Sequence, residues 1–350
     1  LTLSQIFSFT AAPVTVFLSG IIGSQISSVK SLSTLPMSIS VVGIAVGAIV
    51  STKTMSLIGR KYGFIIASIG NALFSILAAY SIFNQNFYIF CFANFFIGIG
   101  MAFTHQYRFA AAESVEKKMA PKAVSILLFG GIISAFLGPS LANYSKDFAS
   151  ENMYVGSYLS LAVLTFIPTI LFLFYESKSI NKENINYTGR SYLELISQPR
   201  FIQALAASAF GYAIMTFLMT ATPISMHVME KMSLSKTGIV IQFHVASMFL
   251  PSLVTGHLIK KIGHSNVIYA GLFFYSMTLF ISIFDQTFLN YMFALIFLGL
   301  GWNFLFISGT SLLVLTYKEE EKFKAQGLND FIVYSIHAIG SLSAGVLIVL

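Results

Sequence analysis

Of the 33 charged residues in this chain, 20 basic and 13 acidic, two fall inside apolar stretches: Arg108 in THQYRFAAAE and Asp330 in GLNDF. A charge in hydrocarbon is costly and marks function unless it can reach an interface. Two readings of these residues stand side by side. Either Arg108 extends to the headgroups and Asp330 sits at the favourable amino-terminal end of a helix, or both belong to a gate or a proton path. Histidine titrates near neutral pH, and His105, His244 and His337 lie in apolar runs; each either carries protons or bonds to a neighbouring helix. Asp330, His105 and His337 are the first groups to test for proton coupling. Trp302 is the single tryptophan and lies inside an apolar run, not at an interfacial belt. It either offers a stacking surface to a ring-bearing substrate or packs a core. No HExxH, GxSxG, Walker loop or pair of embedded acids occurs, and Cys91 has no partner cysteine. No catalytic residue, metal site, cofactor or intrachain disulfide is therefore expected.

The composition sets what must hold these residues. The chain is 350 residues long, 56% hydrophobic and 9% charged, against about 25% charged in soluble domains. So few charges cannot cover a globule of this size, and lipid must face the remainder. A net charge of +7 spread so thinly is no nucleic-acid stripe. A bilayer core about 30 Å thick needs roughly 20 apolar residues per helix. Eleven such runs emerge: 3-23, 34-57, 63-83, 88-112, 122-145, 155-175, 201-227, 237-259, 266-284, 288-316 and 327-350. The chain begins at Leu1 without a signal-peptide pattern and stops inside AGVLIVL, so a twelfth span is expected beyond Leu350.

Orientation follows from the basic residues. With Leu1 in the cytoplasm, sixteen of the twenty lie on the cytoplasmic side, including Lys53, Arg60, Lys61, Lys117, Lys118, Lys178, Lys182, Arg190, Lys260 and Lys261. The other face holds Lys30, Lys146, Lys231 and Lys236. The longest loop, 176-200, divides the chain.

An internal repeat runs through both halves. SLIGRKYG (56-63) returns as GHLIKKIG (256-263), FIGIGMAF (96-103) as FLGLGWNF (297-304), and Lys122 to Gly138 as Lys324 to Gly340. Paired halves of this kind point to a site between them. With two six-helix halves and a basic motif after the second and eighth helices, the chain resembles the major facilitator superfamily of secondary transporters along its whole length. The motif reads Ser56-x-x-x-Arg60-Lys61-x-Gly63, with Arg60 where the family carries an acid. Ser134-x-x-x-Gly138-Pro139 is similar to an element of the family's antiporters.

The resemblance implies an all-α polytopic membrane protein with two pseudo-symmetric halves, 1-175 and 201-350. It implies alternating access to a midplane cavity lined by spans one, four, seven and ten. The polar residues on those spans are Gln5, Thr10, Thr15, His105, Gln106, Tyr212, Thr216, Thr220, Trp302 and Asn303. It also implies a cytoplasmic latch, read here as Arg60 facing Asp330. Neutral hydrogen-bonding groups and aromatics suit a neutral or weakly charged solute. The expected function is proton-coupled transport of a small organic solute by a monomer in a bacterial inner membrane. A uniporter and a non-transporting sensor of the same fold remain as alternatives. Pro13, Pro139, Pro168 and Pro223 are candidate bends.

Overall fold

The computed structural model describes residues 1–115, 120–149, 153–176, 189–318 and 321–347. Lys117, Lys118, Lys178 and Lys182 of the expected basic loops lie outside the described residues, as do the last three residues of the eleventh span. Every regular element described is helical. In chain order these are α1 (Thr2–Ser8), α2 (Ala11–Ile26), a 3-10 turn (Lys30–Leu32), α3 (Leu35–Phe83), α4 (Phe87–His105), α5 (Tyr107–Glu113), α6 (Ala120–Ser145) and α7 (Val155–Leu173). After the central loop come α8 (Tyr192–Ile196), α9 (Pro199–Pro223) with a π turn (Ile224–Met229), α10 (Leu234–Phe249), α11 (Ser252–Ile262), α12 (His264–Ser282), α13 (Phe288–Val314) and α14 (Lys322–Leu347). Among the described residues eight helices are long and apolar enough to cross a membrane, or nine if the bent pair α10–α11 counts as one. With α6 and α14, 26 residues each, they occupy the eleven expected segments. Outward residues such as Leu73, Val163, Phe273 and Ile283 are exposed and apolar, as lipid contact requires.

Glycines let these helices approach closely, and they do so twice. A β-carbon at Gly98 would overlap the Ser40 carbonyl, and one at Gly299 would overlap Ser247 Oγ, so α4 seats on α3 as α13 seats on α10. Gly100 lies against Asn71 as Gly301 lies against Tyr275, and Gly138 abuts Thr10 O as Gly340 abuts Ala213 O. The sequence repeat is therefore a repeat of packing. Its turn register differs from expectation. In these two turns the glycines with positive φ are Gly59 (φ 82°) and Gly263 (φ 84°), whereas Gly63, paired with Gly263 by the motif, lies inside a helix against Met55. Only a residue without a β-carbon enters that region cheaply, so the Gly59 turn sets where the second span ends.

Prolines act unevenly. Pro13 has no N–H for the Phe9 carbonyl, and the first span breaks at Phe9–Thr10 between α1 and α2. The α10–α11 bend of 41° falls at Pro251, outside the four candidates, while Pro139 and Pro168 sit within continuous helices.

At the end carrying the basic loops, a charge clamp ties the central loop to the turn between α13 and α14. Glu321, its side chain 1% exposed, accepts from Arg190 N (2.9 Å), Nε (2.9 Å) and Nη2 (2.6 Å) and from Lys318 N (3.0 Å). Arg190 Nη2 also donates to Thr316 O at 2.9 Å, and Lys324 Nζ to Arg190 O at 2.7 Å. Leu195 of α8 packs beneath, in a cluster with Phe201, Leu312 and Leu313. Arg190→Ala strips the guanidinium from a buried carboxylate and should cost about 3 kcal/mol, read as a lower melting temperature. Arg190, with the backbone donors, holds the Glu321 carboxyl well below the usual carboxylate range. Its contribution is complete above that range and is lost as pH falls through the depressed value, so stability should be flat near neutral pH.

Candidate functional site

A run of rings drawn from six spans lies mostly in the second half of the chain and reaches the first half through Phe9 and His105. Trp302 and Phe306 on α13 stack at 4.8 Å and 17°. Tyr212 of α9 stands edge-on to both at 5.2 Å, and it contacts Tyr334 at 5.8 Å and His337 at 4.8 Å, both on α14. Phe249 of α10 approaches Trp302 at 6.1 Å and Phe9 at 5.5 Å; Phe9 lies 6.4 Å from His105, which in turn lies 5.9 Å from Tyr334. Tyr212, Trp302, Tyr334 and His337 are buried. Phe9 owes its place to the break that Pro13 makes in the first span.

Charge enters this group at one point. Arg108 Nη2 on α5 lies 3.4 Å from Asp330 Oδ2 on α14, with the side chains 25% and 29% exposed. Asn329 Nδ2 donates to the other carboxylate oxygen at 3.2 Å. The acid expected opposite Arg60 is thus held by Arg108, and Arg60 itself is half-exposed on α3. A pair that keeps about a quarter of its surface in solvent is worth about 1 kcal/mol, enough to bias two conformations without locking either. Asp330, Tyr334 and His337 recur at helical spacing on one face of α14, so acid and rings share a surface.

Contacts between the chain halves also occur toward the opposite end. Ser341 Oγ donates to Ser38 Oγ at 3.0 Å and shares a hydrogen bond with Thr220 Oγ1 at 2.9 Å, joining α14, α3 and α9. Gln242 Nε2 donates to Ser140 Oγ at 2.7 Å and to Phe136 O at 3.1 Å, joining α10 to α6.

The residues expected to line a cavity, and the histidines expected to carry protons, therefore divide. His105, Tyr212, Trp302 and His337 meet in the ring cluster, with Arg108 and Asp330 beside it. Thr220 is committed to the Ser341 contact, and Thr10 donates to Phe7 O at 2.5 Å. Asn303 serves the bend in the eighth span: its Nδ2 donates to Met248 O at 2.7 Å and Ser252 Oγ at 2.8 Å, and its Oδ1 accepts from Thr255 at 2.6 Å. His244 Nδ1 lies 2.8 Å from Leu295 O, joining α10 to α13. Gln5, Thr15 and Thr216 are buried, and Gln106 sits at the joint between α4 and α5. Phe9, Phe249, Phe306 and Tyr334 are absent from the expected lining. A signal for Phe306 and Tyr334 exists, since each lies one helical turn beyond a residue already singled out, Trp302 and Asp330. A groove of about 610 Å³ at Leu1–Ser4 and residues 171–176 shares none of these residues.

The architecture is two packed helical repeats joined by a ring cluster. A model of the Major Facilitator Superfamily matches residues 1–341, and the chain belongs to that superfamily as an integral membrane transporter. It is 35% identical over 350 residues to the riboflavin transporter RfnT of Brucella anthropi, covering 99% of this chain and 88% of that one. It is 29% identical over 306 residues to the uncharacterized MFS-type transporter YdeG of Bacillus subtilis, covering 83% and 70%. Among solved structures, a point mutant of the nucleoside transporter NupG superposes with a TM-score of 0.71 at 14% identity, covering 99% and 89%. A bacterial homologue of the human lysosomal transporter Spinster, inward-facing and occupied, gives 0.72 at 12% identity, covering 98% and 79%.

Proposed function

We propose that this protein carries riboflavin, or a flavin of the same ring system, across a bacterial plasma membrane by alternating access coupled to protons. The observation that carries the reading is the Trp302–Phe306 stack with Tyr212 edge-on to it, in a chain 35% identical along nearly its whole length to a riboflavin transporter. A planar three-ring solute gains most from stacked and edge-on aromatic partners. The ribityl tail is uncharged, which suits a cluster whose one described ion pair is already neutralised by Asp330 and Arg108. The basic loops favour an amino terminus in the cytoplasm, so in this reading the Arg108–Asp330 contact closes the cytoplasmic side and the Ser38–Ser341 contact the outer side. Protons are the coupling ion in this reading because Asp330 can exchange its partner, Arg108, for a proton.

A ligand that binds the native state alone stabilises it by about 2.7 kcal/mol at a hundred times its dissociation constant. Riboflavin should raise the melting temperature of the full-length protein in detergent, saturably, by several degrees. A nucleoside and a hexose at equal concentration should leave it unchanged. A shift with the nucleoside and none with riboflavin would overturn the assignment.

A further inference from the structure

We infer that Trp302 Nε1 and His337 Nδ1 read the hydrogen-bonding edge of the flavin ring, and that the same site rejects flavins carrying a phosphate. The inference rests on the flavin reading above and goes beyond it, because stacking alone recognises any planar ring.

Both atoms are buried without a partner among the described residues, on side chains 3% and 7% exposed. A buried polar group left unpaired is destabilising, and native proteins leave few of them. Both rings touch Tyr212, at 5.2 and 4.8 Å, so the two nitrogens belong to side chains packed around one tyrosine ring, beside the stack of Trp302 on Phe306. An indole N–H can only donate, so its partner must be an acceptor such as a ring carbonyl. Imidazole Nδ1 donates or accepts according to tautomer, and as an acceptor it matches a ring N–H. The pyrimidine edge of a flavin offers this sequence: a carbonyl, the N3–H and a second carbonyl. A hydrocarbon ring of equal size would leave both protein atoms unpaired, and a site built on buried polar groups rejects such analogues strongly.

Charge selection follows from the same neighbourhood. The groups facing the cluster are Arg108 and Asp330, the neutral rings of Tyr212 and Tyr334, and the two imidazoles of His105 and His337. The guanidinium is held by Asp330 at 3.4 Å. A phosphate on the ribityl tail would have to compete with that carboxylate and add negative charge beside it. The uncharged flavin meets neither obstacle.

The experiment is a binding titration of the purified full-length protein, following the quenching of flavin fluorescence. The ligands are riboflavin, 3-methylriboflavin, in which N3–H is lost, and flavin mononucleotide, the 5′-phosphate. Variants Trp302→Phe and His337→Phe keep a ring and lose the nitrogen. Riboflavin affinity should fall about tenfold in each variant, the loss expected for one buried hydrogen bond. The wild type should bind 3-methylriboflavin about tenfold more weakly than riboflavin and flavin mononucleotide more weakly still, and His337→Phe should no longer distinguish riboflavin from its 3-methyl derivative. Riboflavin binding that is unchanged in both variants would overturn this inference and leave the flavin reading standing. Equal wild-type affinity for all three ligands would do the same, and needs no variant to fold. A wild type that binds no flavin overturns both.

Discussion

Asp330→Asn should abolish the response of transport to a proton gradient while leaving substrate exchange intact. Asparagine reproduces the shape of a protonated carboxyl and its lack of charge, so the variant is fixed in one of the two states the mechanism alternates between. Asp330 holds Arg108 across the chain halves at 3.4 Å, and it does so most strongly when ionised. Protonation removes one charge, and with it the electrostatic part of a contact worth up to about 1 kcal/mol. That is enough to shift a two-state population several-fold. In vesicles with an imposed gradient, accumulation by Asp330→Asn should fall to the level reached without a gradient, as losing an embedded functional acid implies. Exchange of labelled for unlabelled flavin should stay near wild type. Asp330→Arg should be worse, because two guanidiniums then face each other, and adding Arg108→Asp should restore part of the exchange rate. Gradient-driven accumulation unchanged in Asp330→Asn would remove the acid from the coupling path.

The other large effect is structural. Gly98→Val should prevent the protein from reaching a folded, monodisperse state. A β-carbon at Gly98 meets the Ser40 carbonyl oxygen, and one at Gly43 meets the Phe95 carbonyl oxygen. The two glycines bring α3 and α4 into backbone contact from both sides, and neither obstacle is a side chain that can swing away. Overpacking of this kind costs about 3 kcal/mol where neighbours can relax and more where backbones cannot. Gly299→Val, its counterpart against His244 O and Ser247 in the second repeat, should behave alike. Gly70→Ala is the control, because no neighbouring atom lies within reach of its β-carbon. Thermal melting and size-exclusion profiles of the three variants check this. A Gly98→Val protein melting with wild type would mean that the helices are spaced farther apart than described.

Much of this fold is legible in the amino-acid sequence, because hydropathy in windows of about 20 residues reports a bilayer directly. The repeat is legible through glycines, and the reason is physical: Gly98 with Gly299 and Gly138 with Gly340 are points where helices touch, so the spacing of contacts is preserved along the chain. The turn register is not legible, because Gly59 and Gly63 are equivalent as letters. Only the backbone shows that Gly59 adopts φ 82° while Gly63 is helical.

The site is legible in residue type and less so in direction. Trp302, Tyr212 and His105 stand out as polar or aromatic groups on the expected spans, His337 stands out as an embedded histidine, and the four meet. Asn303 stands out on the same grounds, yet its amide serves the carbonyl groups around the Pro251 bend. Which way a buried amide points depends on what the neighbouring helix leaves unpaired, and one chain's letters do not record that. The family's pattern directs Asp330 to Arg60, which stands in for an acid. Arg108, itself an embedded charge, lies 3.4 Å from Asp330, where the fourth and eleventh spans meet.

The central claim, that this chain moves a flavin, is tested most directly by counterflow. Full-length protein is reconstituted into vesicles preloaded with unlabelled riboflavin, and labelled riboflavin is added outside. Counterflow does not depend on the direction of physiological transport or on a proton gradient. A transient accumulation of label inside, above that of protein-free vesicles and suppressed by external unlabelled riboflavin, is the expected result. Entry no faster than into protein-free vesicles, from a preparation shown to be folded, would contradict it.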